Sequence, residues 1–303
     1  MEQEHNPELD INPKSVVIIT TTFYPKWYPG NEGVRDADKI RGDLALKMIR
    51  EANTRGFQVV VVDGAENQRF KDELLGFNIN VFPEVEKGMS GSRQQGFKEA
   101  SALEDGKVLC WVEPEKVSVV RDCLPQAVIP ILKGDADVVV PQRNKQLFEE
   151  TYPDYQVLFE KRSNQIWNAM LKKYGLRNEE DPELDVWFGP KFFRNDPDLV
   201  KLFTDKYSFT GDPKLQFHKI VRPELWSNAT FLPVISALRK HLKVVGVEVS
   251  YRHPAEQTAF EQDSHEMRRK REFQQKNIIL VSEFFIRKLL NLPSDTGRTE
   301  KVA

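Results

Sequence analysis

Lys107-Val108-Leu109-Cys110-Trp111-Val112-Glu113-Pro114-Glu115-Lys116 is the stretch that decides how this chain is read. The unbroken apolar run from Val108 to Val112 suits a strand covered on both faces. It leads directly into two carboxylates separated by one proline. In open α/β sheets, ligands collect beyond the carboxyl ends of the strands. Two carboxylates there are a natural seat for a divalent cation bridging a diphosphate. The plainer reading is a strand end followed by solvated charges. Pro114 fixes the local backbone and withholds a donor. Lys116 adjoins the pair and can replace part of a metal's charge.

Similar apolar, β-branched runs recur on either side. They predict strands at 15–20 (SVVIIT), 57–62 (FQVVVV), 78–82 and 136–140 (ADVVV). Between them the pattern is helical. Over 36–56, Ile40, Leu44, Met48 and Ile49 share one face and Gly56 is the stop. Further helices are predicted at 90–103 and at 117–133, where Pro125 and Pro130 imply a kink. This alternation predicts an α/β fold with a mostly parallel sheet flanked by helices. The second half reads as a helix at 155–174, a strand and turn over 184–193, a helix at 225–241 and a strand at 243–251. A long helix then follows at 261–290. No linker-like segment divides the chain. The expected organisation is a flexible arm at 1–14, one domain at 15–255 and a C-terminal helical extension at 256–303.

Composition narrows the class. The chain has 303 residues, 40% hydrophobic and 30% charged, with a net charge of −2. That balance gives no basic footprint for nucleic acid. No apolar run reaches the roughly 18 residues of a membrane span. The polar, acidic start lacks a signal peptide's basic flank and apolar core. Cys110 and Cys123 lack metal-type spacing, and Cys110 sits in a predicted buried strand. A reduced, cytoplasmic protein is expected.

Several other positions are placed to carry chemistry. Thr20, Thr21 and Thr22 end the first strand, where hydroxyls can meet a ribose or base; a polar loop start is the alternative. Asp63 closes the second strand, as a nucleoside ligand or as a turn-forming Asp-Gly. In the 87–96 stretch (KGMSGSRQQG) the glycines, Gly91 among them, let backbone approach a ligand. A helix start there offers free N–H groups to phosphate. Arg93, one turn in, can pair with a diphosphate; the alternative is a helix cap on Ser90 or Ser92. Arg143 reads as a phosphate contact or a solvated loop residue. Asp185 precedes an aromatic-glycine turn, where it can bind sugar hydroxyls or act as a base. Gly189 exposes backbone there, and Trp187 and Phe188 serve equally as core aromatics. His253 follows the late strand, as a third metal ligand beside two carboxylates or as a surface residue. The 268–271 run (RRKR) is a solvated helix face or phosphate-binding charge.

In their order, these residues resemble a GT-A glycosyltransferase of the family 2 type, from about Val16 to Pro254. They are also similar to the retaining mannosylglycerate and glucosylglycerate synthase type. The chain departs in having Glu-Pro-Glu for Asp-x-Asp and Gly189-Pro190 for a Gly-Gly or Gly-Phe turn. It also lacks the membrane helices of many family 2 relatives. The resemblance implies a GT-A (Rossmann-like) sheet and transfer of a sugar from a nucleotide-diphosphate donor. The acceptor would be a small molecule, a lipid phosphate or a saccharide. It implies Mg2+ or Mn2+ held by Glu113, Glu115 and His253, with Glu115 assisting the leaving group. Asp185 would be the base, or a sugar ligand in a retaining enzyme. The donor would lie against Thr20, Thr21, Thr22, Asp63, Gly91, Arg93, Glu113, Lys116 and Gly189. Without a metal, Arg93, Lys116 and the 268–271 run would neutralise the diphosphate. Two other classes stay open: a nucleotidylyltransferase, although its Gly-rich Arg/Lys loop is absent, and a catalytically silent nucleotide-sugar-binding protein.

Overall fold

The computed structural model describes residues 11–33, 35–207 and 229–292. Parts of the expected arm (1–10), helix (225–228) and C-terminal extension (293–303) lie outside the described residues. One seven-stranded sheet organises the rest, in the order β3-β2-β1-β4-β6-β5-β7. Its strands are β1 (Val16–Thr22), β2 (Gln58–Asp63), β3 (Asn80–Pro83), β4 (Val108–Trp111), β5 (Val138–Arg143), β6 (Lys191–Arg194) and β7 (Val244–Val249). All neighbours pair in parallel except β6, which runs antiparallel to both β4 and β5. The mostly parallel α/β architecture expected from the alternation is therefore present.

Both sheet faces are covered, and the strand sequences show why. Val16, Ile18, Val59, Val61 and Cys110 point into one core, against α1 (Ala37–Thr54) and α4 (Leu124–Leu132). Their strand neighbours Val17, Ile19, Val60, Leu109 and Trp111 point into the other. Successive side chains of a strand face opposite ways, so a strand buried on both sides must be apolar throughout. The second core is closed by α3 (Met89–Ser101), α6 (Asp154–Lys173), α7 (Pro197–Thr204), α8 (Leu232–Arg239) and α10 (His265–Leu289). Ile278, Val281, Phe285 and Ile286 bring the late half of α10 into that core.

Several boundaries differ from expectation. β1 runs on to Thr22 and β5 runs on to Arg143, which is a buried strand residue rather than a solvated loop one. The kinked 117–133 helix is a π-turn over Val119–Cys123 passing into α4. Pro125 has no N–H to bond to the preceding turn, and a wider turn accommodates that loss. Three short helices were not expected: α2 (Gln68–Leu75), α5 (Lys145–Thr151) and α7. A further short helix, α9 (Ala255–Glu261), follows β7.

Candidate active site

The carboxyl ends of β1, β2 and β4 form one edge. The pairing sets Thr22 beside Asp63, and Val112 donates its N–H to the Ile19 carbonyl. The Thr22 hydroxyl donates to Asp63 Oδ1 at 2.8 Å. Burial raises the Asp63 pKa, although the Thr22 bond opposes it. Asp63 Oδ2 and Thr20 Oγ1 are buried and have no hydrogen-bond partner among the described residues. Buried polar atoms are normally satisfied, so this edge is unusual. Thr21 is half-buried.

α3 starts beside that edge. Gly88 precedes it at φ 115°, a conformation suited to glycine. Gly91 allows a close approach of a different kind from the one expected: a Cβ there would lie 2.8 Å from the Glu86 carbonyl oxygen. Arg93 lies with its guanidinium 4.6 Å above the Trp111 ring. Among the described residues it has no ion pair, and its Nε is a buried donor without an acceptor. Burial lowers its pKa to about 10 while Glu113 and Glu115 oppose the fall, so it is charged at neutral pH.

The acid pair lies between protein cations. Glu113 Oε2 sits 3.9 Å from Lys116 Nζ and has no hydrogen bond among the described residues. Glu115 Oε1 accepts from the Tyr24 hydroxyl at 3.2 Å and lies 3.9 Å from Arg41 Nε. Arg41 is itself bound by Glu261 at 2.6 Å. Lys116 sits among three rings, 5.0 Å from Phe188, 5.1 Å from Tyr251 and 5.8 Å from Tyr152. Burial works to lower its pKa, but nearby Glu113 contributes to a net rise. Lys116 is thus a fixed ammonium in an aromatic box.

Asp185 is held on several sides. The Arg143 guanidinium grips both of its oxygens, at 2.7 and 2.8 Å. Asn164 donates to it at 2.6 Å, as do the backbone N–H groups of Arg143 and Phe188. Burial raises its pKa, but Arg143 and these donors hold it below the usual carboxylate range. Both oxygens of that carboxylate are therefore engaged by protein donors. It anchors the 185–190 turn, with Glu160 as the second partner of Arg143. Gly189 brings that turn against the acid pair, since a Cβ there would overlap the Glu113 carboxylate. Lys191, fully buried, straps the turn from beneath. Its ammonium lies within hydrogen-bonding range of the carbonyls of Val186, Phe188, Gly189 and Pro190.

His253 is buried rather than on the surface. Thr258 gives its proton to the Thr151 carbonyl at 2.6 Å. The 2.8 Å bond between Thr258 and His253 Nδ1 must therefore run from the imidazole, which fixes the tautomer. Burial and then Lys116, Arg271, Arg143 and Arg41 push its pKa well below 6.5. In the 268–271 run, Arg268, Arg269 and Lys270 are exposed on α10.

The Mg2+ or Mn2+ expected from the resemblance needs Glu113, Glu115 and His253 to converge. Among the described residues no three His, Cys, Asp or Glu side chains are grouped to hold a metal. Lys116 is the shared neighbour of Glu113 and His253. Glu115 already has Tyr24 and Arg41. These residues do not fit a three-ligand metal site.

Of the residues singled out in the sequence, the fold brings together the acid pair, Arg93, Lys116 and Gly189. Sequence reasoning missed Arg41, Tyr152 and Lys191 as partners of the site. For Arg41 the available signal was a charged residue next to Ile40 on the apolar face of a helix.

No family model matches this chain, and no curated protein matches it either. Solved structures do. Glucosyl-3-phosphoglycerate synthase from Mycobacterium tuberculosis superimposes with a TM-score of 0.51 at 9% identity, over 93% of this chain and 82% of that one. The same enzyme in complex with Mn2+, uridine-diphosphate and phosphoglyceric acid gives 0.50 at 9% identity, over 93% and 80%. At such identities the likeness establishes fold and nothing finer. No described helix is long and apolar enough to cross a membrane. The chain has the GT-A fold.

Proposed function

We propose that this chain transfers a sugar from a nucleoside-diphosphate sugar to an acceptor hydroxyl. In that reaction the bond from the sugar's anomeric carbon to the diphosphate oxygen breaks. A bond from that carbon to the acceptor oxygen forms, and the acceptor loses its proton. One observation carries the reading: among the described residues Arg93, in the opening turns of α3, has no ion pair, and its Nε is a buried donor without an acceptor. A guanidinium Nε buried without an acceptor has a donor to offer, and a diphosphate is the bidentate partner that a guanidinium matches. Thr20, Thr22 and Asp63 would face the nucleoside, with two of their polar atoms still to be satisfied. Gly189 and Glu113 would border the sugar. Acceptor candidates remain a small molecule, a lipid phosphate or a saccharide.

Isothermal titration calorimetry with UDP, GDP, CDP and ADP tests the reading. One nucleotide should bind, and Arg93→Met should weaken it by about tenfold or more, the worth of a charge-assisted bond. The matching nucleoside, which has no phosphate, should be unaffected by that change. Heat from none of the four would overturn the proposal. Release of the same diphosphate from its sugar conjugates should then report turnover.

A further inference from the structure

We propose that the positive charge facing the donor's diphosphate is supplied by Lys116 and Arg93 of this chain, so that donor binding needs no divalent ion. This inference rests on the nucleotide-sugar reading and deepens it. Lys116 follows Glu115 directly and holds its ammonium 3.9 Å from Glu113 Oε2. Around it, Tyr152, Tyr251 and Phe188 prevent the side chain from swinging away. Among the described residues its one hydrogen bond is the long 3.5 Å contact to the Tyr152 hydroxyl. An ammonium has three donors, so it has protons to offer an anion. Arg93 brings a second cation that has no partner of its own among the described residues.

Of the nearby carboxylates, Glu113 has Lys116 at 3.9 Å from its Oε2, and the other two are committed elsewhere. Glu115 is held by Tyr24 and Arg41, and Glu261 by Arg41 and Gln257. His253 lies within the positive electrostatic influence of Lys116, Arg271, Arg143 and Arg41. A dication entering here would meet like charge on several sides. A diphosphate would meet two cations with donors to spare. The ammonium at position 116 therefore does the charge work that an ion would do between two free acids.

The full-length chain and the tightest nucleotide of the panel decide the matter by calorimetry, in EDTA and in excess Mn2+. Affinity in EDTA should stay within about threefold of that in Mn2+. Lys116→Met, which keeps length and removes charge, should lose about tenfold in EDTA. Lys116→Arg should restore most of that loss. Circular dichroism melting of both variants establishes that each is folded, and the charged variant keeps the test decisive if Lys116→Met is not. Binding seen only with Mn2+ would overturn the inference and leave the functional reading standing. Lys116→Met binding as well as wild type in EDTA would overturn the role of Lys116. Absence of binding under both conditions would overturn the functional reading and the inference with it.

Discussion

At Gly189 the absence of a methyl group lets the 185–190 turn and the acid pair share one space. The obstacle to an alanine is the tip of the Glu113 side chain rather than backbone. Gly189→Ala should therefore keep the fold and displace the carboxylate. We expect an unchanged melting temperature and a loss of turnover of about tenfold or more, the scale of one misplaced contact. An alanine variant with full turnover would show that Glu113 has no part in the reaction. Asp185 behaves in the opposite way. Its oxygens are taken up by Arg143, Asn164 and two backbone N–H groups. Removing it leaves a buried guanidinium with only Glu160. Asp185→Ala should destabilise the chain by about 3–5 kcal/mol in urea unfolding, as a broken buried pair does. An ordinary unfolding midpoint with abolished turnover would instead identify Asp185 as a reacting group. The sequence showed Asp185 as a polar residue beside a glycine turn. It could not show that Arg143 reaches it, because that requires β5 to extend to Arg143 and lie beside β6. By contrast, Glu113, Glu115 and Lys116 were legible because strand end and acids are contiguous in the chain.

Helices and strands place these side chains, and α3 does so most closely. Gly96 faces the sheet: a Cβ there would lie 2.8 Å from Ile19 Cγ2 on β1. Two effects compete in Gly96→Ala. Helix propensity favours alanine by about 1 kcal/mol. Overpacking a filled core costs about 1–3 kcal/mol. Ile19 is fully buried on a central strand and cannot retreat cheaply, so the clash wins. The variant should lose about 1 kcal/mol net, and α3 should shift outward, carrying Arg93 with it. A lower urea midpoint together with weaker nucleotide binding would confirm both effects; a stabilised variant would refute the packing argument. Elements of this kind were legible where periodicity was long. The buried strands and α1 were read within a few residues. α2 was not, because only Phe70 and Leu74 of its eight residues are buried. α5 likewise buries only Phe148. Two turns with so few apolar positions give no periodic signal. The antiparallel direction of β6 also had no local signature, since strand direction follows from connections rather than from composition.

Across the whole molecule, charged groups buried at the site should set how stability varies with pH. Asp185 and Glu261 have pKa values below their ordinary 3.8 and 4.5; burial opposes this, and Arg143 and Arg41 respectively overcome it. A depressed carboxylate contributes stability above its unfolded pKa and loses it as pH falls through the folded value. Their window therefore lies below about pH 4.5. His253 acts higher on the scale. Burial first, and then Lys116, Arg271, Arg143 and Arg41, keep its ring neutral in the folded chain well below 6.5. The unfolded chain takes up that proton near pH 6.5 and the folded chain does not. Unfolded protein thus binds more protons just below pH 6.5, and stability falls as pH falls through that value. The slope attributable to one proton is at most about 1.4 kcal/mol per pH unit. His253→Phe keeps a ring beside Tyr152, where the two centroids are 4.2 Å apart, and removes the titration. It also loses the bond to Thr258, so it should be less stable at pH 7.5. Between pH 6.5 and 5, however, its stability should decline less steeply than that of wild type. Urea unfolding of both proteins at intervals across that range measures the difference. Parallel curves would mean that the ring takes up its proton in the folded state too. The cations around it would then not control its charge.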